Sequence, residues 1–268
     1  MARMPTYFIP HGGGPCFFME WEPPHTWDSL AQWLQQFPAT LPQQPKALLV
    51  ISGHWETRDG VAITAHKNPP LIYDYGGFPL HTYELTWPAP GAPELAARVQ
   101  QLLQQKSIAA ALDDARGFDH GVFIPLKVAF PDAAIPTIQL SLRRDLNPAF
   151  HLALGEALAP LRDEGVLILG SGMSYHNMRA YNWDNTPIAS PLPEAFDRWL
   201  EQAVSADAAK RRTMLTHWAD ATGSRHAHPR EEHLLPLMVV AGAAGADAGS
   251  IAFRDQILGA PITAVKFG

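Results

Sequence analysis

Leu48-Leu49-Val50-Ile51-Ser52-Gly53-His54 is an apolar run that ends in two small residues and an imidazole. An unbroken aliphatic run of this length reads as a strand buried on both faces, as in a parallel sheet covered by helices. Phe8-Ile9-Pro10-His11-Gly12-Gly13-Gly14 has the same form. So does Val166-Leu167-Ile168-Leu169-Gly170-Ser171-Gly172, with Met173-Ser174-Tyr175-His176 just beyond it. Ligands of open α/β sheets bind in the crevice beyond the carboxyl ends of such strands, so three imidazoles placed there can meet at one point. A shared metal ion is the simplest reason for them to do so, because neutral imidazole is the commonest transition-metal ligand among side chains.

Outward from these runs, strands are expected at residues 6–9, 47–52, 61–65, 137–142, 166–170, 250–253 and 262–266. Helices are expected at 27–36, 93–105, 122–130, 148–162, 193–205 and 230–241. Asn147-Pro148 supplies an N-cap and first helical residue, and Pro229 with Glu231 and Glu232 suits a first turn facing the helix dipole. Alternation of strands with amphipathic segments predicts a sheet with helices on both faces. The 25 prolines and 20 glycines fall mainly between the elements, and no linker separates two cores, so residues 1–268 read as a single catalytic domain.

An apolar fraction of 47% with 17% charged residues is that of an ordinary globular chain. The net charge of -6 excludes the basic stripe that a nucleic-acid partner requires. Cys16 is the only cysteine, which rules out an internal disulfide or a thiolate metal cluster; between Pro15 and Phe17 it reads as a small buried hydrophobe. With no long apolar run to serve as signal or membrane span, a soluble, cytoplasmic protein is expected. Residues 69–90 pack Tyr73, Tyr75, Phe78, Tyr83 and Trp87 into loop-like sequence. Taken alone, this is a self-packed surface loop; the functional alternative is a lid with aromatic walls for a flat substrate.

Position sorts the 12 histidines. His25, His66, His81, His151, His217 and His226 have neither strand-end nor glycine context and read as structural or solvated. His11 precedes three glycines that let backbone approach a ligand, and lacks the lysine and spacing of a phosphate loop. His54 closes a buried strand, where a neutral, metal-bound ring costs less than a charged one. Both are read as ligands. His233 is preferred as the third, over Glu231, Glu232 and His228, because the helix dipole already accounts for the two glutamates. Five protein ligands would leave no room for substrate, so His120 or His176 is expected to act as an acid or base. Asp119 points away from its neighbour His120.

The ordered set His11-Gly-Gly-Gly-Pro15, Ser52-Gly-His54-Trp55, Gly76-Gly-Phe-Pro79, Pro88-Ala-Pro-Gly91, Gly117-Phe-Asp-His120-Gly121, Ser171-Gly-x-x-x-His176-Asn177 and Glu232-His233-Leu-Leu-Pro-Leu237 resembles the DOPA-dioxygenase-type branch of the class III extradiol ring-cleavage dioxygenases. The likeness runs from about residue 5 to residue 237. It implies a three-layer α/β/α sandwich around a central mixed sheet, with a divalent metal at the strand ends, and a catecholic, DOPA-like substrate opened with O2. His11 and His54 match two histidine ligands, while His233 stands where many of these enzymes carry glutamate. Three neutral imidazoles would leave Fe(II) its full double charge, suited to a catecholate dianion. Should His176 coordinate as well, a closed tetrahedral Zn(II) site in the isolated protein becomes the alternative. Otherwise His176 is the base for a catechol proton, and His120 binds or protonates the oxygen-derived intermediate. Zinc-dependent hydrolysis and a non-enzymatic binding module on the same fold are the competing functions.

Overall fold

The three quoted runs lie side by side at the centre of one sheet. The computed structural model describes residues 2–268. In chain order the elements are β1 (Thr6–Pro10), α1 (Asp28–Gln36), β2 (Ala47–Thr57), β3 (Val61–Thr64), α2 (Pro93–Gln105), β4 (Ala110–Asp113), α3 (His120–Ala129), β5 (Thr137–Arg143) and α4 (Pro148–Leu158). They continue as β6 (Val166–Gly172), α5 (Leu192–Ser205), α6 (Ala208–Thr216), the single turn α7 (Ser224–Ala227), α8 (Leu235–Ala244), β7 (Gly249–Ile257) and β8 (Ala260–Phe267). The sheet order is β4-β3-β5-β2-β6-β1-β8-β7. β5, β2, β6 and β1 run parallel, while β8 and β7 add an antiparallel edge, so the sheet is mixed.

Register aligns the carboxyl ends of the central strands. Pro10 pairs with Gly172, and Ser52 with Ser171, so the pairings of β1 and of β2 with β6 end at one level. The ladder continues one step further, where His11 N–H donates to the Gly172 carbonyl at 3.1 Å. Side chains alternate across β6. Ser171 Oγ donates to the Gly121 carbonyl of α3 on one face, while Gly170 and Gly172 face Pro236 and His233 on the other. A methyl group at Gly172 would collide with the His233 carbonyl, so the close approach of the segment entering α8 requires glycine there. Helices therefore cover both faces.

All ten residues of α8 are buried, which makes it the central helix of its layer. Its last carbonyls, Ala243 and Ala244, accept from Arg162 Nη1, and the same guanidinium reaches the Met4 carbonyl and Asp247. A buried cation at the C-terminal end of a helix satisfies orphan carbonyls and opposes the dipole.

Several boundaries differ from expectation. β2 continues past Ser52 to Thr57 through a register shift between Ile51 and Glu56, so His54 sits on the irregular part of a strand and not beyond its end. The helix expected from residue 230 begins only at Leu235. Glu232, His233 and Leu234 form a turn whose His233 carbonyl accepts from Met173 N–H at 3.1 Å, so this stretch docks on the end of β6 and cannot be helical. The helix expected to run to residue 162 stops at Leu158, before Pro160. β4, α6 and α7 were not anticipated. Among the described residues, no helix is long and apolar enough to cross a membrane.

His151 and His228 are both buried; His151 Nε2 accepts from the N–H of Arg143, the last residue of β5, at 3.1 Å. Burial lowers His151 to about 4, against the opposing hydrogen bond to the Asn147 carbonyl, and lowers His228 to about 3, against that to the Ser174 carbonyl. Both stay neutral when folded, so below the ordinary value near 6.5 the unfolded chain takes up protons that the native one does not. Stability is unaffected by these two groups above pH 6.5 and falls between about pH 6.5 and 3. Urea unfolding at pH 7, 6 and 5 should show that loss, and His151→Gln should make it shallower by up to about 1.4 kcal/mol per pH unit.

Candidate metal centre and active site

His11, pinned by its backbone to β6, and His54, on the shifted part of β2, point their Nε2 atoms at each other across 3.3 Å. His233 Nε2 approaches His54 Nε2 at 3.1 Å from the turn before α8. Nitrogens bound about 2.0–2.1 Å from one ion stand about 2.8–3.4 Å apart at octahedral or tetrahedral angles, so both separations suit ligands of a single metal. The far side of each ring meets an oxygen. His11 Nδ1 lies 2.9 Å from the Gly12 carbonyl, His233 Nδ1 3.1 Å from Glu232 Oε1, and His54 Nδ1 faces Asp74 Oδ2 at 3.6 Å.

Oxygens of that kind can only accept, so Nδ1 of His11 and of His233 carries the proton and Nε2 is left with a lone pair, while the Asp74 carboxylate favours the same tautomer of His54 by its charge. Three lone pairs that meet without a donor repel one another. A cation between them removes the repulsion, so the donor set fits a divalent metal. Burial, followed by the neighbouring imidazoles, holds all three rings well below the ordinary histidine value and therefore neutral, the form in which imidazole coordinates.

His120, the first residue of α3, is held by the loop of residues 69–90. Asp74 Oδ1 accepts from both the His120 backbone N–H at 2.9 Å and His120 Nδ1 at 2.8 Å. Burial alone would raise the Asp74 carboxyl, but hydrogen bonds and charge from His120, then His54, outweigh it and hold it at about 2. Asp119 points the other way, as expected, accepting from Ser52 Oγ at 2.8 Å and from Arg116 at 3.1 Å. The His120 ring stands 4.0 Å from that of His54, centre to centre. Ligand atoms of His11, His54 and His120 lie within 4.8 Å of one another, as do those of His176, Glu232 and His233.

His176 stacks on His233 with ring centres 3.5 Å apart and planes inclined by only 17°. A ring nitrogen coordinates through a lone pair in its own plane, so two stacked, nearly parallel rings cannot both direct that lone pair at one ion. His176 Nδ1 instead faces Glu232 Oε1 at 3.5 Å, so Glu232 serves both rings. Of the other contenders for the third ligand position, His228 spends Nε2 on the Ser174 carbonyl at 2.9 Å, and Glu231 pairs with Arg225. Cys16 is buried and accepts from Gly13 N–H at 3.3 Å, which braces the loop behind His11.

His11 and His54 open into a cavity of about 430 Å³, which His120 and His176 also line, with His233 behind them and the rest of the wall mainly aromatic and thioether side chains. Over residues 5–265 the chain matches the model of the catalytic LigB subunit of aromatic ring-opening dioxygenase. The chain belongs to this family. Among curated relatives, a protein named 4,5-DOPA dioxygenase extradiol from Beta vulgaris is 39% identical over 249 residues, 90% of this chain and 87% of that one. One of the same name from Escherichia coli strain K12 is 38% identical, covering 90% and 86%. The crystal structure of an uncharacterized protein from Escherichia coli K12 superposes with a TM-score of 0.81 at 32% identity, over 99% of this chain and all of that one. The chain is thus an extradiol ring-opening dioxygenase of the DOPA type, on an α/β fold with one mixed sheet.

Two groups of this dioxygenase site escaped the sequence reading. Asp74 lies in the aromatic segment, which is both self-packed and part of the cavity: Tyr73 and Tyr75 hydroxyls donate to the Leu85 and Thr82 carbonyls, while Tyr75, Gly76 and Phe78 line the wall. The self-packed reading was therefore incomplete. Asp74, unlike Glu84 of the same segment, is flanked on both sides by tyrosines, and that was the available signal. Glu232 was assigned to a helix dipole, but the helix starts three residues later and the carboxylate turns back to His176 and His233. His11→Ala and His54→Ala should each lose the bound metal on dialysis, read by elemental analysis, while Glu232→Gln should retain it with affinity lowered by about 10–100-fold.

Proposed function

We propose that residues 1–268 form one catalytic domain that opens the ring of a catecholic, DOPA-like substrate with O2 at a single metal held by His11, His54 and His233. The observation that carries this reading is the approach of the His11 and His233 Nε2 atoms to that of His54, at 3.3 and 3.1 Å, beside an aromatic cavity that His11 and His54 line together with two further imidazoles. The relatives named for DOPA ring opening support the substrate class. Fe(II) in that position would hold the two catechol oxygens and O2 side by side and pass electrons from ring to oxygen.

The protein's own groups supply orientation and proton movement. His176 is assigned as the base that takes a catechol proton, in preference to a fourth ligand, because its stacking on His233 turns its lone pairs away from a shared ion. Glu232 at its Nδ1 fixes the ring and offers a counter-charge once that ring gains a proton. His120 is assigned as the proton donor. With Nδ1–H donated to Asp74, Nε2 is the nitrogen left for the cavity; it must first take up a proton, and the resulting cation, balanced by Asp74, can then deliver that proton to oxygen. Tyr75 stands edge-on to His120, with centres 5.7 Å apart, and limits water around it.

Metal-stripped protein reloaded anaerobically with Fe(II) should consume O2 when given a catechol, and the Zn(II) form should not. Catechol-independent hydrolysis by the Zn(II) form, with no uptake by the Fe(II) form, would sink the dioxygenase assignment. His176→Ala and His120→Ala should each keep Fe(II) and catechol binding while kcat falls by about 100-fold or more. Loss of metal from His176→Ala would instead make it a ligand and favour the four-histidine zinc site.

A further inference from the structure

We propose that His228 is a positioning residue for His176: its side-chain N–H supplies a hydrogen bond that the main chain cannot make, and so holds the base over His233. The inference rests on the assignment of His176 as the base in the ring-opening reading above. His228 is fully buried, follows the single turn α7 and does not line the cavity. Its Nε2 donates to the Ser174 carbonyl at 2.9 Å, while the carbonyl of the preceding residue, Ala227, accepts from His176 N–H, also at 2.9 Å. One turn thereby grips the chain on both sides of Tyr175.

The grip has the form of an interrupted parallel ladder. In a complete one, the residue whose carbonyl accepts from His176 would also donate its own N–H to the Ser174 carbonyl. Ala227 N–H is instead spent on the Gly223 carbonyl at 2.8 Å, and His228 N–H on the Ser224 carbonyl at 2.7 Å. Without the imidazole, the carbonyl of the buried Ser174 would lose its donor, and a side chain fills the place that backbone leaves empty. Donation from Nε2 leaves Nδ1 bare, and Nδ1 has no partner. A buried acceptor without a partner costs stability, so a phenyl ring would serve better if this position only filled the space beside Phe196 and Trp218, which meet the imidazole edge-on with centres 5.5 and 6.0 Å away. The bond to Ser174 accounts for a histidine there.

His176 depends on this turn more than the proposed ligands do. His11 and the His233 turn have their own main-chain bonds to β6, at Gly172 and Met173. His176 lies beyond the strand, and the next residue, Asn177, is tied to the same turn, its Nδ2 donating to the His226 carbonyl at 2.7 Å. Where the turn sits therefore decides whether the His176 ring lies 3.5 Å from that of His233 with its Nδ1 toward Glu232.

The test sets packing against donation. His228→Phe keeps a ring of similar size and loses the donor, whereas His228→Gln loses the ring and keeps an N–H at the place of Nε2. Both should retain Fe(II) on dialysis, read by elemental analysis, and bind DOPA anaerobically within about twofold of the unaltered enzyme. In O2 uptake with DOPA, kcat should fall by about tenfold or more in His228→Phe and stay within about threefold in His228→Gln, with KM little changed in either. Equal losses in the two, a smaller loss in His228→Phe, or loss of metal from either would overturn the proposal. If His228→Phe does not fold, His228→Asn, whose amide reaches only to the place of Nδ1, takes its part with the same expectation. Should the unaltered Fe(II) enzyme consume no O2 with any catechol, the ring-opening reading falls, and crystal structures of the variants still decide the positioning: His176 displaced from His233 in His228→Phe but not in His228→Gln supports it, and any other pattern overturns it.

Discussion

Two backbone hydrogen bonds at the carboxyl end of β6 bring two of the site's imidazoles, from opposite ends of the chain, to the same place. His11 N–H donates to the Gly172 carbonyl, and one residue on, Met173 N–H donates to the His233 carbonyl. The first extends the β1–β6 ladder just far enough to place His11 level with the strand ends. The second clamps a non-helical turn against the sheet, so that His233 enters from the layer of α8. The absent side chain of Gly172 permits the clamp, because only bare backbone fits under the His233 carbonyl. Two of the three proposed ligand positions, His11 and His233, are thereby held by main chain, while His54 is carried by β2 itself; strands and main-chain bonds position side chains more precisely than flexible loops do.

This arrangement has an electrostatic consequence. Three neutral imidazoles bring no charge to offset a divalent ion, unlike a triad that includes a carboxylate. The compensating charges are present one bond further out, in Asp74 near His54 and His120 and in Glu232 behind His233 and His176. Each carboxylate serves two rings, one assigned to the metal and one to proton transfer. Moving the anions outward keeps the inner positions free for a catecholate while retaining nearby negative charge to stabilise rings that gain a proton.

Much of this was legible in the sequence, and the misses have physical causes. The strands at residues 47–52 and 166–170 could be read because burial on both faces demands an unbroken apolar run, and His11 and His54 stood out as polar residues beside such runs. β4 was invisible because an edge strand needs no such run; its four residues are half-exposed, with Leu112 facing solvent. The start of α8 was misplaced because Pro229 and two glutamates imitate a helix entry, while the hydrogen bond that overrides them comes from Met173, far away in sequence. Asp74 could not be assigned to His120 for the same reason, since forty-six residues separate them and only the fold brings them to 2.8 Å.

The aromatic segment shows why self-packing and function need not compete. The hydroxyls of Tyr73 and Tyr75 tie the loop to its own carbonyls, and their rings pack edge-on against each other and against Phe123 of α3. His81 adds a tie to the Phe18 carbonyl, near the glycine loop of His11. A wall braced in this way does not have to be ordered by the substrate, so binding energy is available to align the catechol oxygens with the imidazoles. Because the same loop carries Asp74, its internal packing also sets the angle of the His120 ring, and a substitution at Tyr75 would reach His120 through the main chain as well as through the cavity.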